Sequence, residues 1–193
     1  VLFNMLKDKF GKLDGRVFVD SAPVLEKSWA SKAGLGWIGN NSLLIHPKLG
    51  SYCFIGELIV DLEIETTHST TPNRCGSCTK CMDACPTGAI VAKGVIDSRK
   101  CISYLTIEKK SDLAELEKEL LNGWCLGCDT CQEVCPWNSK LSVSKCEDLK
   151  PKQELTSSLS TNLKDMDKES FDPIFSGTPI NRITYEKFRS NIL

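Results

Sequence analysis

The chain has 193 residues, a formal net charge of −1 and eleven cysteines. That length allows one full domain or two small ones, no apolar run is long enough to span a bilayer, and the near-zero charge rules out the global basic field of many nucleic-acid binders. Eleven cysteines kept reduced point to a reducing compartment, most simply the cytoplasm. The chain opens on Val1 rather than Met and reads as a fragment, so its start says little about export.

Residues 1–10 read as the end of a helix, broken by Gly11-Lys-Leu-Asp-Gly15. Arg16-Val-Phe-Val-Asp20 follows as a short strand, and Asp20 stands where a carboxylate can do chemistry or cap the next helix. The residue pattern by itself favours the cap. Pro23 suits a first helical turn, and Val24 to Ala33 reads as a helix with Leu25 and Trp29 on one apolar face and Gly34 as its stop. Gly34-Leu-Gly36-Trp37-Ile-Gly39 packs three glycines together, which means close backbone approach or unusual dihedrals. It is not the dinucleotide fingerprint, because it follows a helix and leads into a strand, Ser42 to His46. A loop lying on a flat cofactor and a plain structural turn both remain open. After the turn Pro47-Lys-Leu-Gly50, Tyr52 to Leu62 reads as a buried strand in a hairpin with the preceding one. Cys53 inside it reads as a small buried apolar residue. His46 and His68 have no partner at metal-ligand spacing and read as structural.

A polar, Thr-rich stretch from Glu65 to Asn73 marks a boundary. Beyond it, Cys75-Gly-Ser-Cys78-Thr-Lys-Cys81-Met-Asp-Ala-Cys85-Pro86 is answered by Cys125-Leu-Gly-Cys128-Asp-Thr-Cys131-Gln-Glu-Val-Cys135-Pro136. Each run has the C-x2-C-x2-C-x3-C-P spacing of bacterial [4Fe–4S] ferredoxins. Cysteines at that interval let one tight loop wrap a cuboidal cluster, and the last of the run, one helical turn on, points to the other cluster. The proline then turns the chain away. A zinc ribbon would show pairs of C-x2-C, but not two longer runs each closing in Cys-Pro. Cysteines this close together in loops suit no plausible disulfide framework. The spacing predicts two [4Fe–4S] clusters. It leaves one cysteine too many: Cys101, between the runs, or Cys125 can be the eighth ligand, and spacing alone favours Cys125.

Between the runs, Thr87 to Ile90 and Val95 to Asp97 read as a small hairpin. Asp112 and Glu115 make a capping box, and Leu113, Leu116 and Leu120 give one apolar helical face. Residues 139–169 read as loop and short surface helix, with Cys146 a free thiol. Phe171 to Leu193 can dock through apolar residues and show a basic face of Arg182, Lys187 and Arg189, which is a solvated helix surface or a phosphate contact. From the residues alone, this is a two-cluster electron-transfer unit attached to an α/β piece.

Seven blocks in register resemble the epoxyqueuosine reductase family. They are Phe18-Val-Asp20-Ser-Ala-Pro23-Val-Leu-Glu26, the glycine loop Gly34 to Gly39, Leu49-Gly-Ser51, Cys75 to Cys78, Ala84 to Ala89, Cys101-Ile-Ser-Tyr-Leu-Thr-Ile-Glu108 and Gly127 to Asn138, with a weaker echo from Arg182 to Asn191. Lys27 and Asn40 depart from the family pattern. The resemblance implies an α/β (α+β) chain: residues 1–66 as the C-terminal part of a corrinoid-binding mixed domain, 67–147 as a bis-[4Fe–4S] ferredoxin-like domain, and 148–193 as an extension. It implies a cytoplasmic, monomeric oxidoreductase, with no membrane partner, that reduces epoxyqueuosine to queuosine in tRNA. Electrons from a low-potential donor would pass through the clusters to cobalamin. It implies Asp20 as proton donor and Gly34, Gly36, Trp37, Gly39 and Ser51 as cofactor-binding. It also assigns the extra ligand to Cys101, giving Cys75, Cys78, Cys81 and Cys135 around one cluster and Cys85, Cys101, Cys128 and Cys131 around the other. The rival readings are a corrinoid reductive dehalogenase, which shares the two-cluster plan, and a plain two-cluster electron carrier, which leaves the blocks before residue 66 unexplained.

Overall fold

The structure is a computed structural model that describes residues 1–20, 22–65, 70–142, 144–150 and 163–192. Helix α1 (Leu2–Phe10) ends at Gly11, whose φ of 75° is one a side chain would resist. Strand β1 (Gly15–Phe18) then pairs antiparallel with β4 (Glu57–Val60), Phe18 opposite Glu57. Between them lie α2 (Glu26–Lys32) and a second antiparallel pair, β2 (Trp37–Ile38) with β3 (Leu44–Ile45).

This pairing corrects the expected hairpin of 42–46 with 52–62. A Cβ on Gly36 would sit 2.2 Å from the Ile45 carbonyl oxygen, so the bare glycine lets the preceding loop close on β3 and take that edge. The 52–62 segment is left with one short strand whose partner is β1, and it is not buried: Phe54 and Ile59 are exposed. The apolar face expected of α2 is also absent. Leu25 and Trp29 are exposed, and the helix buries only Ala30.

The cysteine segment carries two short helices, α3 (Lys80–Asp83) and α5 (Thr130–Glu133), which pack against each other. The hairpin β5 (Ile90–Ala92) with β6 (Val95–Ile96) lies where the sequence places it. The Cys101 block winds into a π-helical segment, Tyr104–Glu108, closed by the Lys109 N–H on the Tyr104 carbonyl at 2.9 Å. Helix α4 (Glu115–Leu120) starts later than the expected cap: the Glu117 carboxylate accepts the Ala114 N–H at 2.8 Å, and neither Asp112 nor Glu115 caps it. Leu113 and Leu121 enter a small core with Ile102 and Leu105, while Leu116 stays 75% exposed.

The C-terminal part supplies the other core. Helices α6 (Lys168–Phe175) and α7 (Tyr185–Ile192) bring Phe171, Phe175 and Phe188 together with centroids 4.9–5.6 Å apart, joined by Met166 and Ile183. The Asp167 carboxylate caps α6 by accepting the Ser170 N–H at 2.9 Å. The expected docking is observed. Ile107, Cys125 and Leu126 pack on the aromatic core, and Asn191 Nδ2 donates to the carbonyls of Thr106 and Cys125 at 3.0 and 2.9 Å. His68 lies outside the described residues.

Candidate metal centre

Both cysteine runs fold alike at their ends. In each, a short helix carries the third cysteine, and the last cysteine's N–H closes a turn, Cys85 on the Met82 carbonyl at 3.3 Å and Cys135 on the Gln132 carbonyl at 3.1 Å. Packing α3 on α5 then crosses the two last cysteines over. Cys135 leaves its own run and joins Cys75, Cys78 and Cys81 around a cavity of about 550 Å³. Cys85 leaves the first run and lines a tighter cavity with Cys101, Cys128 and Cys131.

Charge couples the same thiols. Burial pushes Cys135 up, with Cys75 and Cys78 adding to the push, and does the same to Cys81 with the same two neighbours. Burial together with Cys128, Cys81, Cys101 and Cys85 pushes Cys131 up to about 12. Thiols crowded and desolvated in this way lose their protons only to a strong local positive charge, which iron ions provide. Cys85 is the exception. Burial pushes it up, but hydrogen bonds from Thr87, Ala89 and Ile90 together hold it below an ordinary thiol, the Ala89 N–H lying 3.3 Å from its sulfur. All eleven cysteines are free. Among the described residues no three His, Cys, Asp or Glu side chains converge on a single-ion position.

The two candidates for the extra ligand sit in different surroundings. Cys125 lines neither cavity: it packs on the C-terminal aromatic core, and its carbonyl accepts from Asn191. The loops differ for this reason. In the first run the left-handed residue is Gly76, directly after Cys75. In the second it is Gly127, directly before Cys128, and its N–H donates to the Thr106 hydroxyl at 2.9 Å. That hydroxyl donates in turn to the Ile102 carbonyl at 2.7 Å. Cys128 is thereby tied to the segment that begins with Cys101.

The glycine loop lies against the first cavity. Trp37 is buried and its indole N–H points at the Cys75 sulfur, 3.4 Å away. Its ring meets Trp137 edge-on, with centroids 4.8 Å apart. Asn40 and Asn41 donate to the carbonyls of Cys78 and Cys131 at 2.8 and 3.5 Å. Ser51 receives Asn138 Nδ2 at 2.9 Å, and Gly50 is a glycine because a Cβ there would lie 2.0 Å from Asn138 Oδ1. Sequence reasoning missed Asn40, Asn41, Asn138 and Trp137 as a layer around the cysteines. For Asn40 and Asn41 the available signal was the asparagine pair directly after Gly39, and for Trp137 and Asn138 their place directly after Cys135-Pro136. Gly36, Trp37, Gly39 and Ser51 are all buried and face the cysteine segment or β3, and Gly34 is half-buried at the end of α2.

Asp20 follows β1 with a φ of 50°, a left-handed conformation that aspartate tolerates better than most residues. It caps nothing, because α2 begins at Glu26 without a side-chain cap. Its exposed carboxylate accepts from Arg182 at 2.7 Å, and the other arm of that guanidinium reaches Glu108 at 3.2 Å. His46 is structural, its Nδ1 accepting the N–H groups of Lys48 and Leu49 at 3.1 Å.

Residues 74–138 match the family model described as a 4Fe-4S double cluster binding domain. The chain is 46% identical over 187 residues to an epoxyqueuosine reductase of Cyclobacterium marinum, an alignment covering 97% of this chain and 59% of that protein. A crystal structure of selenomethionine-labelled epoxyqueuosine reductase superposes with a TM-score of 0.87 at 30% identity, over 99% of this chain and 50% of that one. A second, of epoxyqueuosine reductase with an epoxyqueuosine-modified stem loop of tyrosine tRNA, gives 0.79 at 30% identity over 98% of this chain and 50% of that one. The chain thus spans about half to three fifths of the length of the relatives it matches.

Proposed function

We propose that this chain, a homologue of the epoxyqueuosine reductases over nearly all of its own length, is the cluster-bearing part of an enzyme that reduces epoxyqueuosine to queuosine in tRNA. One observation carries the reading: the eight cysteines close into two groups of four that cross between the runs, inside a chain that matches these reductases in order. Cys75, Cys78, Cys81 and Cys135 would hold one [4Fe–4S] cluster, and Cys85, Cys101, Cys128 and Cys131 the other. Residues 67–147 form the cluster domain in this reading, 1–66 contribute to the corrinoid side and 148–193 are an extension. The protein works in the cytoplasm as a monomer, fed by a low-potential donor.

The chemistry needs two electrons and two protons. The epoxide oxygen leaves as water and a carbon–carbon double bond replaces the ring. Cobalamin, when bound, would supply a redox-active metal able to carry out the two-electron reduction of the epoxide. The five residues assigned to cofactor binding do not offer an open face for it, since four are buried against β3 or the cysteine segment. They act by fixing the first cluster's surroundings. The exposed apolar side chains of Val17, Leu25 and Trp29, close to Asp20 in the chain, are the better fit to a large apolar macrocycle. Asp20 gives its proton to the departing oxygen. For that, its carboxylate must exchange the Arg182 contact for the substrate.

The test uses the full-length protein with reconstituted clusters, cobalamin, a chemical reductant and RNA carrying epoxyqueuosine. The expected product nucleoside has lost one oxygen atom, and Asp20→Asn lowers turnover by about 10²-fold or more while keeping its iron. Unchanged nucleoside with full iron and cobalamin loading contradicts the reading.

A further inference from the structure

We infer that Trp37 tunes the potential of one cluster and not the other, through a hydrogen bond from its indole N–H to the Cys75 thiolate. The inference rests on the assignment of Cys75 to a cluster. Trp37 is 2% exposed, and the one polar atom of its side chain lies 3.4 Å from Cys75 Sγ. Packing holds it there from two sides. Its backbone is paired with Ile45 across β2 and β3, and its ring stands at 75° against Trp137, two residues past Cys135. A donor so fixed cannot turn to another partner.

A hydrogen bond to a ligand sulfur favours the more negative, reduced cluster over the oxidised one, and so raises the potential. The second group of cysteines has different donors. The Ala89 amide lies on Cys85 at 3.3 Å, and the hydroxyls of Thr87 and Thr130 lie 3.7 and 3.4 Å from Cys85 and Cys128. Each group has its own donors to sulfur, and among the described residues the indole donor from the glycine loop reaches a sulfur of the first group, while Asn41 reaches the second group at the Cys131 carbonyl. This gives the loop a role that its buried geometry supports: it delivers a donor to a cluster ligand. Trp37 is therefore a positioning residue for electron transfer.

The experiment is a redox titration of the reconstituted full-length protein, followed by electron paramagnetic resonance, with Trp37→Phe beside the parent. Phenylalanine keeps an aromatic ring in the slot and removes the N–H. The expected result is one midpoint moved to more negative potential, the other unmoved, and iron content equal to the parent's. Unmoved midpoints in a fully loaded variant, or an equal shift of both, overturn the inference. A second measurement needs no variant. Pulsed resonance of the reduced parent grown on tryptophan labelled with ¹⁵N in the indole should show a nitrogen coupling to a cluster, and its absence also overturns the inference. A parent lacking two [4Fe–4S] signals would instead overturn the ligand assignment itself.

Discussion

Eight thiolates and one carboxylate carry the proposed chemistry, and they were not equally legible. Seven of the eight cysteines follow from spacing, because a loop that wraps a cuboidal cluster has few ways to place its ligands. The eighth does not. Cys125 completes the sequence pattern, yet its thiol lies on the aromatic core and Cys101 lines the cavity instead. Asn191, far from both cysteines in sequence, holds the Cys125 carbonyl, and Thr106, in the Cys101 block, holds the Gly127 N–H. The expected outcome is that Cys101→Ser halves the iron content while Cys125→Ser keeps all of it, as measured by iron and sulfide quantitation after anaerobic reconstitution. Trp37 was legible as important but not in its direction: glycines on either side favour a cofactor loop as readily as an internal turn, and only the fold shows the indole facing Cys75.

Elements were legible where a local signal sufficed and misread where burial decides. The β5–β6 hairpin and the C-terminal aromatic helices follow from pattern. The faces drawn for α2 and α4 fail at Trp29 and Leu116, because helical periodicity says which side chains align, not what covers them. Helix α7 contains a cost no periodicity reveals. Lys187 Nζ is shielded from solvent with no hydrogen-bond partner among the described residues, and burial pushes its pKa down, helped by Lys109 and opposed by Asp112 and Glu117. The charged ammonium is thus penalised in the fold at neutral pH. Lys187→Met should raise the thermal midpoint there by the equivalent of about 1 kcal/mol. The gain should shrink at high pH, once the parent can shed the charge. A scan of melting temperature against pH for both proteins checks it.

The opposite sign holds at the start of α4. The ammonium of Lys109 donates to Glu117 and holds its carboxyl below the usual range, with the Ala114 N–H assisting. A carboxyl lowered by folding adds stability above the ordinary glutamate value of about 4.3, and that stability is lost as pH falls through the lower folded value. Glu117→Gln should therefore be less stable than the parent near neutrality, with the difference closing in acid. Chemical denaturation at two pH values measures this.

Across the whole molecule, three distant parts meet at Arg182. It joins Asp20 at the end of β1 to Glu108 at the end of the Cys101 block, from the C-terminal extension. Exposed ion pairs of this kind contribute at most about 1 kcal/mol, so the contact holds the Asp20 loop lightly and releases it readily. Arg182→Ala should leave iron content and melting temperature close to the parent's while changing turnover, since the proposed proton donor then has no parked position. The overall organisation was legible because seven short blocks lie in one order. The exchange of Cys85 and Cys135 between the runs was legible from the spacing as well, whereas the Arg182 bridge was not, since it depends on segments brought together only by the complete fold.

The most direct measurement is mass spectrometry of tRNA nucleosides from a strain lacking the full-length gene. The account predicts accumulated epoxyqueuosine and no queuosine, restored by the parent gene and not by Asp20→Asn. Normal queuosine in a strain with no second enzyme for the step would contradict it.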